Sequence, residues 1–143
     1  RLLSRGLGDV YKRQALLIVG GVLSFMGIVM NAIPVKFDDD ILGTLGALDS
    51  DATEKEKTLR NFIAQLRIVI GGLALTFGFI AIYNRDLATA DAENLLISMG
   101  VGFVLTMGII VSGIYRGFVD RLIVPPMVIF SVLSAICFYA GLM

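Results

Sequence analysis

The chain has 143 residues, of which 57% are hydrophobic and only 17% charged, with a mean hydropathy of +0.86. That is too little polar surface to coat a soluble core, so the composition points to a membrane protein. A formal net charge of zero argues against nucleic acid, and the lack of any histidine removes the commonest metal ligand and acid–base group; Cys137, the single cysteine, excludes an internal disulfide or a multi-cysteine metal site.

In chain order, residues 1–14, "RLLSRGLGDVYKRQ", carry no helical apolar stripe and resemble the peptide read from sequencing-adapter DNA. They are expected to be a non-native leader, leaving 15–143 as a four-span membrane domain. About 20 mostly apolar residues cross the ~30 Å of a bilayer's hydrocarbon. The segments that meet this are Ala15 to Ile33, Asn61 to Tyr83, Leu95 to Tyr115 and Leu122 to Leu142. Their apolar runs are continuous rather than alternating, so the expected class is all-α: an integral membrane four-helix bundle, antiparallel and up-down.

Pro34 closes the first span. The link that follows is acidic, "FDDD", and continues as "ILGTLGALD", a candidate short interfacial or re-entrant piece. Asp51 followed by Glu54 reads as a capping box, which starts the second helix near Ala52 with two wet, charged turns ahead of the apolar run. The remaining links, "NRDLATADAEN" and "RGFVDR", are short enough to make antiparallel neighbours. Pro125 and Pro126 suit the first turn of the last helix.

Basic residues crowd one side. Lys36, Lys55, Lys57, Arg60, Arg67, Arg116 and Arg121 belong to the first and third links and their borders, whereas Arg85 is alone opposite once the leader is set aside. The positive-inside rule therefore puts the first and third links in the cytoplasm, with a bacterial inner membrane as the expected location.

Arg67 is the one charge inside a span. The sixteen residues that follow it in that span cover only ~24 Å, which places it near the hydrocarbon boundary rather than at the midplane. A guanidinium there has two outlets: snorkelling to phosphate headgroups, or pairing with an acid of the same side, either Asp120 or the run Asp38, Asp39 and Asp40. With Arg116, Arg121, Tyr115 and Asp120 it forms a candidate rim for an anionic lipid or carboxylate, which a planar guanidinium grips with two parallel bonds.

Glycines supply candidate packing seams: "GGVLSFMG" from Gly20 to Gly27, "GGLALTFG" with Gly71, Gly72 and Gly78, and "GFVLTMG" from Gly102 to Gly108. In lipid, helices associate by close backbone approach at small residues. Catalytic equipment is sparse. No span holds a central acid for ion coupling, no histidine is present to activate Ser or Cys, and Cys137 reads as a small apolar filler. No cofactor or metal is expected.

Two stretches carry a resemblance: "QLRIVIGGLALTFGF", where Arg67 precedes Gly71 and Gly72, and "SGIYRGFVDRLIVPP", with Arg116, Asp120 and Pro125. "NAIP" at the end of span one fits as well. The pattern resembles the small four-span bacterial membrane proteins grouped as the domain of unknown function 4345 family, over about residues 15 to 142. The position before the paired glycines, often aromatic there, is Ile70 here. The resemblance implies the fold and carries no established activity. The expected function is a non-enzymatic membrane protein binding an anionic lipid, a small amphiphile or a partner. The alternatives are a subunit of a homo-oligomeric transporter or channel, and a small membrane oxidoreductase or transferase.

Overall fold

The computed structural model describes residues 2–44, 48, 53–117 and 124–143. Among these there is no strand, and the class is the expected all-α one. Helix α1 is Leu2–Ala32, a 3-10 turn covers Pro34–Asp38, and α2 is Asp39–Thr44; α3 is Glu54–Tyr83, α4 is Thr89–Tyr115 and α5 is Val124–Leu142. Among the described residues, four helical stretches are long and apolar enough to cross a membrane: Gly8–Ala32, α3, α4 and α5. Large apolar side chains stay exposed along them, among them Phe25, Phe79, Leu105 and Ile109. A water-soluble protein would hide such a surface, whereas a lipid-facing one requires it. The chain is an integral membrane protein.

The element boundaries follow local chemistry. α1 closes with Ile33 N–H donating to Val29 O at 3.0 Å. Ile33 then leaves helical geometry at φ −135 and ψ 58, as a residue before proline must. Pro34 opens the 3-10 turn, where its missing N–H costs nothing. Helix α1 starts at Leu2, so residues 2–14 form its first turns. Leu42 on α2 is fully buried, which makes this short helix a packed element of the first link.

The N-terminus of α3 sits two residues later than expected. Thr53 and Glu56 form the capping box: the Thr53 N–H and Oγ1 donate to Glu56 Oε2 at 2.6 and 2.7 Å, and the Glu56 N–H reaches back to Thr53 Oγ1 at 3.5 Å. Asp51 lies outside the described residues, and Glu54 instead pairs with Lys57 one turn on. Thr53 and Glu56 have the three-residue spacing that a reciprocal cap needs, the same spacing as Asp51 and Glu54. The Thr53 hydroxyl, then its N–H, hold the Glu56 carboxyl below its ordinary range, in the wet turns ahead of Asn61. At the far end of α4, Arg116 N–H donates to Ser112 O and Gly117 N–H to Ile114 O, with Gly117 at φ +71. Glycine is the residue that turns the chain left-handed there without strain. The first turn of α5 contains Pro125 and Pro126, as expected; Leu122, the expected start of that span, lies outside the described residues.

The chain divides into two compact units, Gly20–Ile80 and Arg1–Val19 with Ala81–Met143. In the first, α1 and α3 run antiparallel with almost no gap. A Cβ on Gly27 would fall 2.6 Å from Gly71 O, and one on Gly78 would collide with Ser24 and come 2.8 Å from Gly20 O. Gly20, Gly27, Gly71 and Gly78 thus form a backbone-to-backbone seam.

In the second unit, α4 and α5 pack antiparallel through Leu96, Gly100 and Phe103 against Leu133, Cys137 and Ala140. Phe103 stacks on Phe130 at 5.8 Å, and Ser134 Oγ donates to Gly100 O at 3.2 Å. Cys137 fills this interface and is fully buried. Gly100 and Gly141 are the tight positions here: a Cβ would meet the Phe138 ring at 3.2 Å and Ile97 at 3.0 Å respectively. Among the described residues, nothing lies within 4 Å of where a Cβ would stand on Gly102 or Gly108, or on Gly72 of α3. Gly102 is two residues, or ~200°, round the helix from Gly100, which turns it away from α5. The first turns of α1 join this unit through polar contacts. Lys12, 3% exposed, donates to Glu93 at 2.7 Å, Thr89 to Asp9 at 2.6 Å, and Arg13 pairs with Asp86 at 3.2 Å.

Candidate functional site

Arg67 extends the glycine seam of α3 by one turn. It stands four residues before Gly71 and so on the same helix face. On α1 the corresponding end carries Asn31, whose Nδ2 donates to Gly27 O at 2.8 Å. Nδ2 also lies where a Cβ of Gly71 would need to be. Just beyond, Pro34 ends the helix and the 3-10 turn folds the chain round so that Asp38 is delivered to Arg67.

The two side chains meet in a fork. Arg67 Nε donates to Asp38 Oδ2 at 3.1 Å and Nη2 to Oδ1 at 2.5 Å. Asp38 is 8% exposed, and the Arg67 side chain 25%. Both carboxylate oxygens are engaged, and none of the described buried polar side chains lacks a partner. Of the two outlets open to this guanidinium, the structure takes the aspartate run, and within it Asp38, while Asp39 stays exposed. A charge pair so placed lets Arg67 sit beside apolar helix without an uncompensated charge.

The other expected rim residues are distributed as follows. Tyr115 ends α4 and is 87% exposed, and Arg116 is the C-cap of the same helix, engaged through its backbone N–H. Asp120 and Arg121 lie outside the described residues. Asn31 and Lys36 belong to the Asp38 end of the first unit, with Lys36 exposed.

Sequence reasoning did not single out Gly100, Gly141 or the Thr53–Glu56 cap. Gly100 was within reach: Leu96, Gly100 and Phe103 fall on one helical face by spacing alone, whereas Gly102 and Gly108, six apart, do not share one. A shallow apolar groove between α1 and α5, walled by Ile18, Ile136 and Ala140 with Tyr11 and Tyr139 at its edge, contains no charged side chain. No group of three or more Cys, Asp or Glu side chains suited to a metal ion occurs among the described residues.

Comparison with protein-family models, with characterised proteins and with solved structures finds no match for this chain.

Proposed function

We propose that the chain is a non-enzymatic membrane protein that binds the anionic group of a lipid or small amphiphile at Arg67, on the cytoplasmic side of a bacterial inner membrane. The observation that carries this reading is the grip itself. Arg67, placed by its position in α3 near the edge of the hydrocarbon, holds both oxygens of a carboxylate through two adjacent N–H groups. Arginine recognises carboxylates and phosphates in this manner, and an amphiphile presents such oxygens at that depth. Arg116 and Arg121 join the reading on their sequence positions alone. Kinship with the domain of unknown function 4345 family is part of the same proposal, supported by the quoted stretches around Arg67 and Pro125.

Native mass spectrometry of the protein released from detergent tests it. Phosphatidylglycerol is retained by the parent chain and lost on Arg67→Ala. Retention that persists in the triple change of Arg67, Arg116 and Arg121 to Ala removes the reading.

A second reading, assembly of copies within the bilayer, is favoured by Gly72 and Gly102. Each is open, and each is followed by a threonine whose hydroxyl is turned back onto its own helix, Thr76 to Gly72 O and Thr106 to Gly102 O, both at 2.9 Å. Such smooth small faces suit close helix approach in lipid. Gly102→Cys in membranes should give a disulfide-linked dimer under mild oxidation, and an exclusively monomeric product counts against assembly through this face.

A further inference from the structure

The arrangement of Arg67 points to regulation of the anion site as well as to its existence. We infer that Asp38 is a built-in competitor: its carboxylate occupies the fork that an external anion uses, and the ligand binds by displacing it. The inference rests on the anion-binding reading of Arg67 and adds to it a closed and an open state.

Three features support the exchange. The occupant is chemically equivalent to the ligand proposed, because a carboxylate with both oxygens bonded to Nε and Nη2 satisfies the guanidinium edge as a fatty-acid or phosphate group does. The occupant is also carried on a weak element. Asp38 is the last residue of a five-residue 3-10 turn, where hydrogen-bond geometry is poorer than in an α-helix, and the turn is set off from α1 by the break at Ile33 and Pro34. Arg67, by contrast, is fixed in the middle of a 30-residue helix that is pinned to α1 through Gly71 and Gly78. The acid is therefore the partner able to leave. Once it leaves, the Nε–Nη2 edge keeps its place on α3 and is open to an incoming anion. The desolvation that makes an unpaired Asp38 unfavourable is relieved when the turn swings it toward water, where Asp39 and Lys36 already are.

The full chain is purified in a neutral detergent and incubated in separate arms with oleate, with phosphatidylglycerol and with zwitterionic phosphatidylcholine, and retained ligand is counted by native mass spectrometry. Asp38→Asn removes the competing charge and keeps the size. It is expected to raise apparent affinity for oleate, phosphatidylglycerol or both by about tenfold or more. Asp39→Asn, which removes the same charge from an exposed neighbour, leaves affinity within about twofold of the parent, the change expected of a screened surface charge. A rise with oleate alone assigns the site to carboxylates, and a rise with phosphatidylglycerol alone to phosphates. Equal affinity in Asp38→Asn and the parent, with loss in Arg67→Ala, overturns the competition and leaves the anion-binding reading intact. Binding that survives Arg67→Ala overturns both. Hydrogen–deuterium exchange on the unmutated chain gives a readout that does not depend on how well a variant folds. Saturation with the retained anion speeds exchange in Pro34–Asp38 when Asp38 is displaced, and unchanged or slower exchange there refutes displacement.

Discussion

Gly71 and Gly72 are neighbours in sequence with opposite surroundings, and this makes them a sharp test of the seam. A methyl group on Gly71 meets Asn31 Nδ2 at 2.5 Å, Met30 Cβ at 2.9 Å and Gly27 O at 3.0 Å. The Asn31 amide is the end of a side chain and can swing aside. The carbonyl of Gly27 belongs to helix backbone and cannot, so α1 and α3 must separate. Forcing extra methylenes into a well-packed contact costs ~1–3 kcal/mol, and loss of a backbone-to-backbone seam belongs at the upper end. A methyl group on Gly72 meets nothing within 4 Å. There the only change is the replacement of glycine by a better helix former, which gains up to ~1 kcal/mol. The two alanine variants should therefore differ by ~2–4 kcal/mol. Unfolding in mixed micelles of increasing SDS fraction, followed by circular dichroism, measures that difference. Gly71→Ala should unfold at lower SDS than the parent, and Gly72→Ala at the same or higher SDS. If both variants shift together, or if Gly72→Ala is the weaker protein, α1 does not lie on the Gly71 face and the seam is refuted.

In the same assay, a double-mutant cycle of Arg67→Ala and Asp38→Ala should show coupling of ~1–3 kcal/mol, less than the ~3–5 of fully buried pairs because Arg67 is 25% exposed; additive effects would mean the pair contributes nothing. Gly117→Ala forces a Cβ into φ +71 and should destabilise by ~1–2 kcal/mol, while Gly117→Asn, which tolerates that region better, should lose less; equal loss would deny the left-handed cap. The folded Glu56 carboxyl lies below its unfolded value of 4.5, so its contribution is present above that pH and is lost as the pH falls through the folded value. The parent should therefore lose helix stability over that acid range more than Glu56→Gln does, and parallel pH profiles would show that the cap is not formed.

Much of this architecture is legible in the sequence because the bilayer leaves few choices. Every backbone group within it must be satisfied locally, so a continuous apolar run of some 20 residues can only be a helix. Pro34 as terminator, Pro125 at a helix start and Cys137 as filler follow from single-residue chemistry of the same kind. The features that escaped depend on rotation about a helix axis. Gly20, Gly27, Gly71 and Gly78 are found by their sevenfold spacing. Gly100 has no glycine three, four or seven residues away, and only the apolar residues Leu96 and Phe103 betray which face it shares.

The partner of Arg67 illustrates the limit most clearly. Hydropathy places the guanidinium at a depth, and depth selects the acids of one side, but three consecutive aspartates are equivalent by that criterion. What separates them is the turn after Pro34. In a 3-10 turn each step rotates the side chain by ~120°, so a change of one residue in the length of the turn would present Asp39 where Asp38 now stands. The fork on Arg67 is thus specified by the count of residues between Pro34 and Asp38 as much as by the aspartate itself. Deleting Val35 makes this concrete. Asp39 then occupies the register position of Asp38, the ion pair re-forms with a different residue, and Asp39→Asn becomes the damaging substitution while Asp38→Asn becomes neutral. Measured in the shortened chain by the same SDS titration, an unchanged ranking of the two variants would show that the turn does not set the choice.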